Sequence, residues 1–278
     1  KIILPYFLCE SVVHTCSENQ IETEFYHLDE KLEVQYPKGQ LPEGVYLYLV
    51  SYYGQLSDDR ILEYKKLYGN IIVDHTHAFF QRPLKGIDTL YSCRKFWGVS
   101  DGAYLSTDTK LTENNTPDYS EDRMKHILGR YEQDAGTYYK DMLANAAKYE
   151  GMELRQMSRL TQNLLKAVDY ETAKAKREEN YRILSELLPS ENIFNQIIPE
   201  GPFAYPYFHA NGMELRRRLA AKKIFVPTYW KNILESCERD SLEYIWAADI
   251  LPLPCDQRYG AEDMKYMAAV VRECEELE

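Results

Sequence analysis

Two segments of this chain carry residue types and spacings that could do chemistry. The first, Ile71-Ile72-Val73-Asp74-His75-Thr76-His77-Ala78, is an apolar run that ends in a carboxylate followed by two imidazoles. A lone Asp at a strand end is commonly just a turn or helix cap, but a second segment follows it. The second segment, Tyr91-Ser92-Cys93-Arg94-Lys95-Phe96-Trp97-Gly98-Val99-Ser100-Asp101-Gly102-Ala103, sets a lysine between an apolar strand and a glycine-punctuated turn. Phe96 and Trp97 would take Lys95 out of water. That disfavours the ammonium and leaves an amine able to attack an aldehyde, as a Schiff-base lysine must. Taken alone, such a lysine is more often a surface side chain whose stem runs past aromatics.

The elements that would position these residues follow from the hydrophobic pattern. Ile2 to Leu4, Thr23 to His27, Val45 to Val50, Asn70 to Asp74, Thr89 to Ser92 and Ala103 to Leu105 read as strands, short apolar runs that alternate with helical ones as in a layered α/β sheet. Asp74 and Lys95 then both fall just beyond the carboxyl ends of strands, where open α/β sheets bind ligands. Residues 57–69 form a marked crossover helix, with Ser57 as cap, Asp58 and Asp59 in the first turn, Lys65 and Lys66 in the last, and Gly69 to close it. Beyond residue 112 the strand signal fades. Tyr119 to Ala147 and Ser158 to Leu188 read as long charged helices, and Leu160, Leu164, Leu165, Val168 and Tyr170 form a packing stripe on the second. The remainder returns to mixed character, with Phe203 to Phe208 extended, a helix from Gly212 to Ala221, a strand over Lys223 to Val226 and a last helix from Ala261.

Composition narrows the function classes. The chain has 278 residues, 45% hydrophobic and 28% charged, and no apolar run long enough to span a bilayer. A formal charge of −11 argues against a phosphate-backbone surface, so nucleic acid and membrane are not expected partners. The six cysteines show neither zinc-ligand spacing nor a disulfide framework, which points to reduced thiols and a cytoplasmic location. Arg216-Arg217-Arg218 sits on a helical pattern and reads as a solvated face. Phe203, Tyr205, Tyr207 and Tyr229-Trp230 could line a pocket, but aromatic alternation is more often core.

Together the two motif segments resemble the fold-type I pyridoxal-5'-phosphate (PLP) enzymes. Those carry a strand-end Asp, a hydrogen-bonding side chain three residues on, and then a Ser-x-[His/Arg]-Lys loop followed by Gly; here Lys95 follows Asp74 by 21 residues. Leu4-Pro5-Tyr6-Phe7, Glu22 to Asp29, Ser51-Tyr52-Tyr53-Gly54-Gln55 and, near the end, Leu251-Pro252-Leu253-Pro254 follow in the order seen in the DegT/StrS sugar-aminotransferase branch. The resemblance implies an α/β fold, with a three-layer sheet-and-helix large domain over residues 1–112, connecting helices over 113–188 and a small α+β domain over 189–278. It implies that Lys95 binds PLP and shuttles protons, and that Asp74 holds the pyridine nitrogen protonated. By the same resemblance His77 sits near the ring hydroxyl, Ser92 and Arg94 reach the phosphate, and Cys9 stands where relatives stack an aromatic ring on the cofactor. The implied substrates are an amino donor and a nucleotide-linked keto-sugar, and the implied assembly is a homodimer.

The chain departs from that pattern in several places. The family's glycine- or serine-rich phosphate turn is not in it, and its opening directly into a strand at Lys1 points to a preceding stretch. Lys95 follows Ser92 by three residues, where sugar aminotransferases usually have five. The Asn-Tyr-Arg motif is not recognisable around Arg155-Gln156-Met157-Ser158. A PLP-dependent sugar dehydratase or other group transfer, and a cofactor-free binding or assembly relative, therefore stand as alternatives to the aminotransferase.

Overall fold

A computed structural model describes residues 1–111, 115–134, 136–188 and 193–276. The expected domain boundaries at 112/113 and 188/189 each touch residues outside this set. From the N-terminus run β1 (Ile2–Pro5), α1 (Glu10–Glu18), β2 (Thr23–Leu28), β3 (Val34–Gln35), β4 (Tyr46–Val50), α2 (Asp58–Tyr68), β5 (Ile71–Asp74), β6 (Asp88–Ser92) and β7 (Ala103–Ser106). These strands form one seven-stranded sheet in the order β3-β2-β1-β4-β5-β6-β7. The five central strands are parallel, and β3 and β7 run antiparallel at the edges.

Strand alternation sorts the apolar side chains between two faces. Ile3, Leu47, Leu49, Ile71 and Val73 join Ile61, Tyr64 and Tyr68 of α2 in the larger core. Leu4 and Tyr48 pack with Cys16 of α1 on the other face. The crossover helix is as its sequence demands. Ser57 Oγ accepts the Arg60 N–H at its start, and Gly69 ends it with φ 76°.

The remaining elements are α3 (Lys125–Glu132), α4 (Tyr139–Ala147), α5 (Arg159–Lys166), α6 (Tyr170–Leu187), β8 (Tyr205–Phe208), α7 (Gly212–Ala221), α8 (Ile233–Ser236), α9 (Leu242–Asp249), β9 (Ile250–Leu253) and α10 (Ala261–Glu275). β8 and β9 pair antiparallel, and a separate cluster that includes Tyr181, Leu184, Leu215, Leu251, Met264 and Val271 forms beneath them. Three expectations fail here for identifiable reasons. The run from Tyr119 to Ala147 breaks because Asp134 turns its carboxylate onto Thr137, accepting the backbone N–H at 3.0 Å and the hydroxyl at 2.7 Å. The run from Ser158 to Leu188 is two helices, because the Asp169 side chain caps α6 at the Thr172 N–H. The strand expected over Lys223 to Val226 does not form. Lys223 takes a left-handed φ of 64° after α7, and β9 supplies the second strand instead.

Candidate functional site

Because β1, β4, β5 and β6 are parallel, the loops after them gather at one edge of the sheet. The chain reverses its direction of travel across the sheet between β1 and β4, and there the Tyr52 hydroxyl donates to the Phe7 carbonyl. Asp74, the last residue of β5, is 9% exposed. Its Oδ2 accepts the hydroxyl of Tyr48 on β4 at 2.9 Å, and its Oδ1 accepts the Thr76 N–H at 2.8 Å. Both bonds orient the carboxylate.

His77 is buried beyond Asp74. Its ring stacks on Phe203 with centroids 4.2 Å apart and 19° between the planes, and Tyr229 and Trp230 approach it at 5.6 and 5.5 Å. Burial, reinforced by the charge of Lys95, holds its basicity well below the ordinary imidazole value. Nδ1 of this neutral ring finds no hydrogen-bond partner among the described residues. Its neighbour His75 is also buried, shares a 3.3 Å contact between Nδ1 and the Tyr91 hydroxyl, and is pushed down to about 4, mainly by burial.

Lys95 closes a single helical turn, Cys93–Lys95, directly after β6. By surface area the side chain is exposed, yet protein crowds its amine from most sides, and that crowding lowers its affinity for a proton. Its field is set by Cys9, Arg94 and Asp74, and its Nζ lies 5.1 Å from the Tyr229 ring centre and 6.0 Å from that of Phe203. The amine makes no hydrogen bond or ion pair among the described residues. Gly102 lets the loop return. With φ +107° it adopts a conformation that disfavours side chains, and a Cβ there would lie 3.0 Å from Thr161 and 3.1 Å from Met157. Asp101 anchors the same loop to α5, accepting the Ser158 N–H and hydroxyl at 2.8 and 2.9 Å and the Thr161 hydroxyl.

The structure thus brings Asp74, His77 and Cys9 around Lys95. Cys9 is exposed at the start of α1, whereas the nearby Phe7 is buried against Trp230 and Tyr6 stacks on His27. Ser92 starts the lysine turn without capping it. The Arg94 guanidinium lies 4.3 Å over the Tyr149 ring. Three members escaped the sequence reading. Phe203 and Tyr229 had been weighed as core, and Tyr48 was hidden in an apolar strand, its signal being one phenol in Tyr46-Leu47-Tyr48-Leu49-Val50. Arg216 to Arg218 are not a pocket wall. Arg216 donates to the Ala248 and Ile250 carbonyls, and Arg217 and Arg218 pair with Glu214.

A scan against protein-family models gives no match, and no curated protein matches the sequence. Solved structures do match. PseC from Helicobacter pylori, an aminotransferase involved in pseudoaminic acid biosynthesis, superposes with TM-score 0.62 at 12% identity, over 100% of this chain and 80% of PseC. A DegT DnrJ EryC1 StrS aminotransferase from Brucella abortus gives 0.59 at 14% identity, over 98% of this chain and 78% of that one. The fold is that of the DegT/StrS aminotransferases. An E. coli GDP-4-keto-6-deoxy-D-mannose-3-dehydratase with bound hydrated PLP shares it, with TM-score 0.58 at 11% identity over 97% of this chain and 79% of its own. The seven-stranded mixed sheet is part of that shared fold. Among the described residues, no helix is long and apolar enough to cross a membrane.

Proposed function

We propose that this protein is a PLP-dependent aminotransferase that moves an amino group from an amino acid to a keto-sugar carried on a nucleotide. The observation that carries the reading is the unpaired, crowded amine of Lys95 facing the oriented carboxylate of Asp74 across a cleft of this fold. The residues present fit the cofactor. Asp74 offers an anionic acceptor for a ring N–H, the orphaned Nδ1 of His77 offers a polar contact, and Lys95 offers an amine without a competing partner.

When bound, PLP supplies an aldehyde and a ring that withdraws electrons from the substrate's reacting carbon. Asp74, held by Tyr48 and the Thr76 N–H, keeps the ring nitrogen protonated. Lys95 Nζ, its basicity lowered by crowding, takes the proton from the donor's α-carbon and later returns one to the sugar carbon. Phe203, Tyr229 and Trp230 keep water from that exchange, and Ser92 and Arg94 are assigned to the phosphate.

The same proposal covers the assembly. Tyr119, Leu128, Tyr131 and Leu154 are 73, 60, 71 and 74% exposed, an apolar display on the connecting region that suits burial against a second copy. It also covers the division into large and small domains and a cytoplasmic location, which the six free thiols fit. A dehydratase is the competing reaction, supported by the fold shared with the E. coli enzyme. Conversion of the bound cofactor from aldehyde to amine by an amino donor, followed in the visible spectrum, separates the two. An aminotransferase completes that half-reaction with at least one amino acid, and failure across a donor screen contradicts it.

A further inference from the structure

Arg177 lies on the inward face of α6 with Tyr181 and Leu184, and only 1% of it is exposed. A guanidinium keeps its proton inside a protein, so its buried N–H groups need acceptors. Nε donates to Gln257 Oε1 at 2.6 Å, Nη1 to the Pro202 carbonyl at 2.9 Å and Nη2 to the Phe96 carbonyl at 3.2 Å. The guanidinium also covers the Phe96 ring at 4.6 Å, and Gln257 Nε2 adds a 3.3 Å bond to the same Phe96 carbonyl. Among the described residues no carboxylate pairs with it. A buried charge with neutral acceptors is a costly way to hold a fold, and a well-packed apolar side chain is often as stable.

The atoms it holds have one thing in common. Phe96 directly follows Lys95, and Pro202 directly precedes Phe203, the ring that stacks on His77 and faces Lys95 Nζ. Resting on the proposed function, we infer that Arg177, supported by Gln257, is a positioning residue that fixes Lys95 against His77 and Asp74 by tying both walls of the cleft to one rigid guanidinium. Asp101 secures the far end of the lysine loop, so Arg177 governs the near end.

The groups facing Lys95 are Cys9, Asp74, His77, Arg94 and Tyr229. Crowding depresses its basicity, Cys9 and Asp74 oppose that, and Arg94 adds to it. A loop freed from Arg177 lets the amine leave that crowding and recover an ordinary value.

Arg177→Met, Arg177→Lys and Gln257→Leu test this against Arg216→Met, which removes a half-buried arginine that caps the Ala248 and Ile250 carbonyls instead. Two quantities are read: the pH dependence of Lys95 acetylation by acetic anhydride in cofactor-free protein, mapped by peptide mass, and the PLP dissociation constant. In Arg177→Met the Lys95 midpoint rises by about one pH unit, and PLP binding weakens roughly tenfold. Arg177→Lys and Gln257→Leu shift both quantities in the same direction by less, and Arg216→Met lowers stability while moving neither. A folded Arg177→Met with both quantities within about twofold of wild type overturns the inference. If that variant does not fold, Gln257→Leu decides on the same readouts. Wild-type protein that binds no PLP contradicts the proposed function alone, because the lysine midpoint is measured without cofactor.

Discussion

Tyr48 and Asp74 sit on neighbouring parallel strands, and the phenol donates to the carboxylate across the gap at 2.9 Å. Burial first, and the Asp74 charge second, push the ionisation of Tyr48 up, so the phenol stays a donor. Tyr48→Phe removes that donor and keeps the ring's packing. Stability is expected to fall by about 1–2 kcal/mol in denaturant titration, and turnover by about tenfold. Unchanged turnover would show that the orientation of Asp74 does not depend on Tyr48.

Asp74→Asn keeps the size and loses the charge. Much of the PLP binding is expected to survive while turnover drops by about a hundredfold or more, because an amide cannot hold the ring nitrogen protonated. Single-turnover kinetics with a competent amino donor measure the step. Near wild-type rates would return this carboxylate to the role of a turn cap.

The buried imidazoles give the fold a pH dependence of defined sign. His75 is lowered to about 4 in the folded chain, chiefly by burial, so the unfolded chain binds the extra proton first as pH falls. Its contribution is absent above the unfolded value of about 6.5, grows as a loss of stability down to pH about 4, and reaches the order of 3 kcal/mol. His77 acts in the same direction. Urea unfolding at pH 7 and pH 4.5 should show this loss, with a smaller difference in His75→Asn. An equal difference in the variant would mean that carboxylates elsewhere dominate.

Leu128 and Tyr131, both on α3, belong to the exposed apolar display of the connecting region. With cofactor at micromolar concentration the protein is expected to sediment as a dimer that buries more than about 2,000 Å² in total. Leu128→Glu with Tyr131→Glu should shift it towards monomer. A wild-type monomer that turns over substrate contradicts the dimer.

The sheet was legible in the sequence because each central strand is a short apolar run bounded by turn residues, and the crossover helix because Ser57 and Gly69 mark both its ends. The strand-end placement of Asp74 and Lys95 was legible for a related reason, since strand ends set side chains at a predictable edge. What the residues alone could not give depends on partners distant in sequence. Tyr48 lies 26 positions from Asp74, and Arg177 lies 81 from Phe96. Arg177 left one local trace, a charge in register with the apolar positions Ala173, Tyr181 and Leu184. The breaks at Asp134 and Asp169 are hard to read because charged, helix-favouring neighbours mask a side-chain turn at the first and a side-chain cap at the second. β3, only two residues long, carries too little pattern to announce itself.

The central claim is that Lys95 is the cofactor lysine, and borohydride reduction of PLP-treated protein followed by peptide mapping tests it most directly. The account predicts an absorption band at roughly 400–430 nm before reduction. It also predicts a stable pyridoxyl adduct on the peptide containing Lys95, absent in Lys95→Ala. An adduct carried specifically by another lysine, or none in folded wild-type protein saturated with PLP, would contradict it.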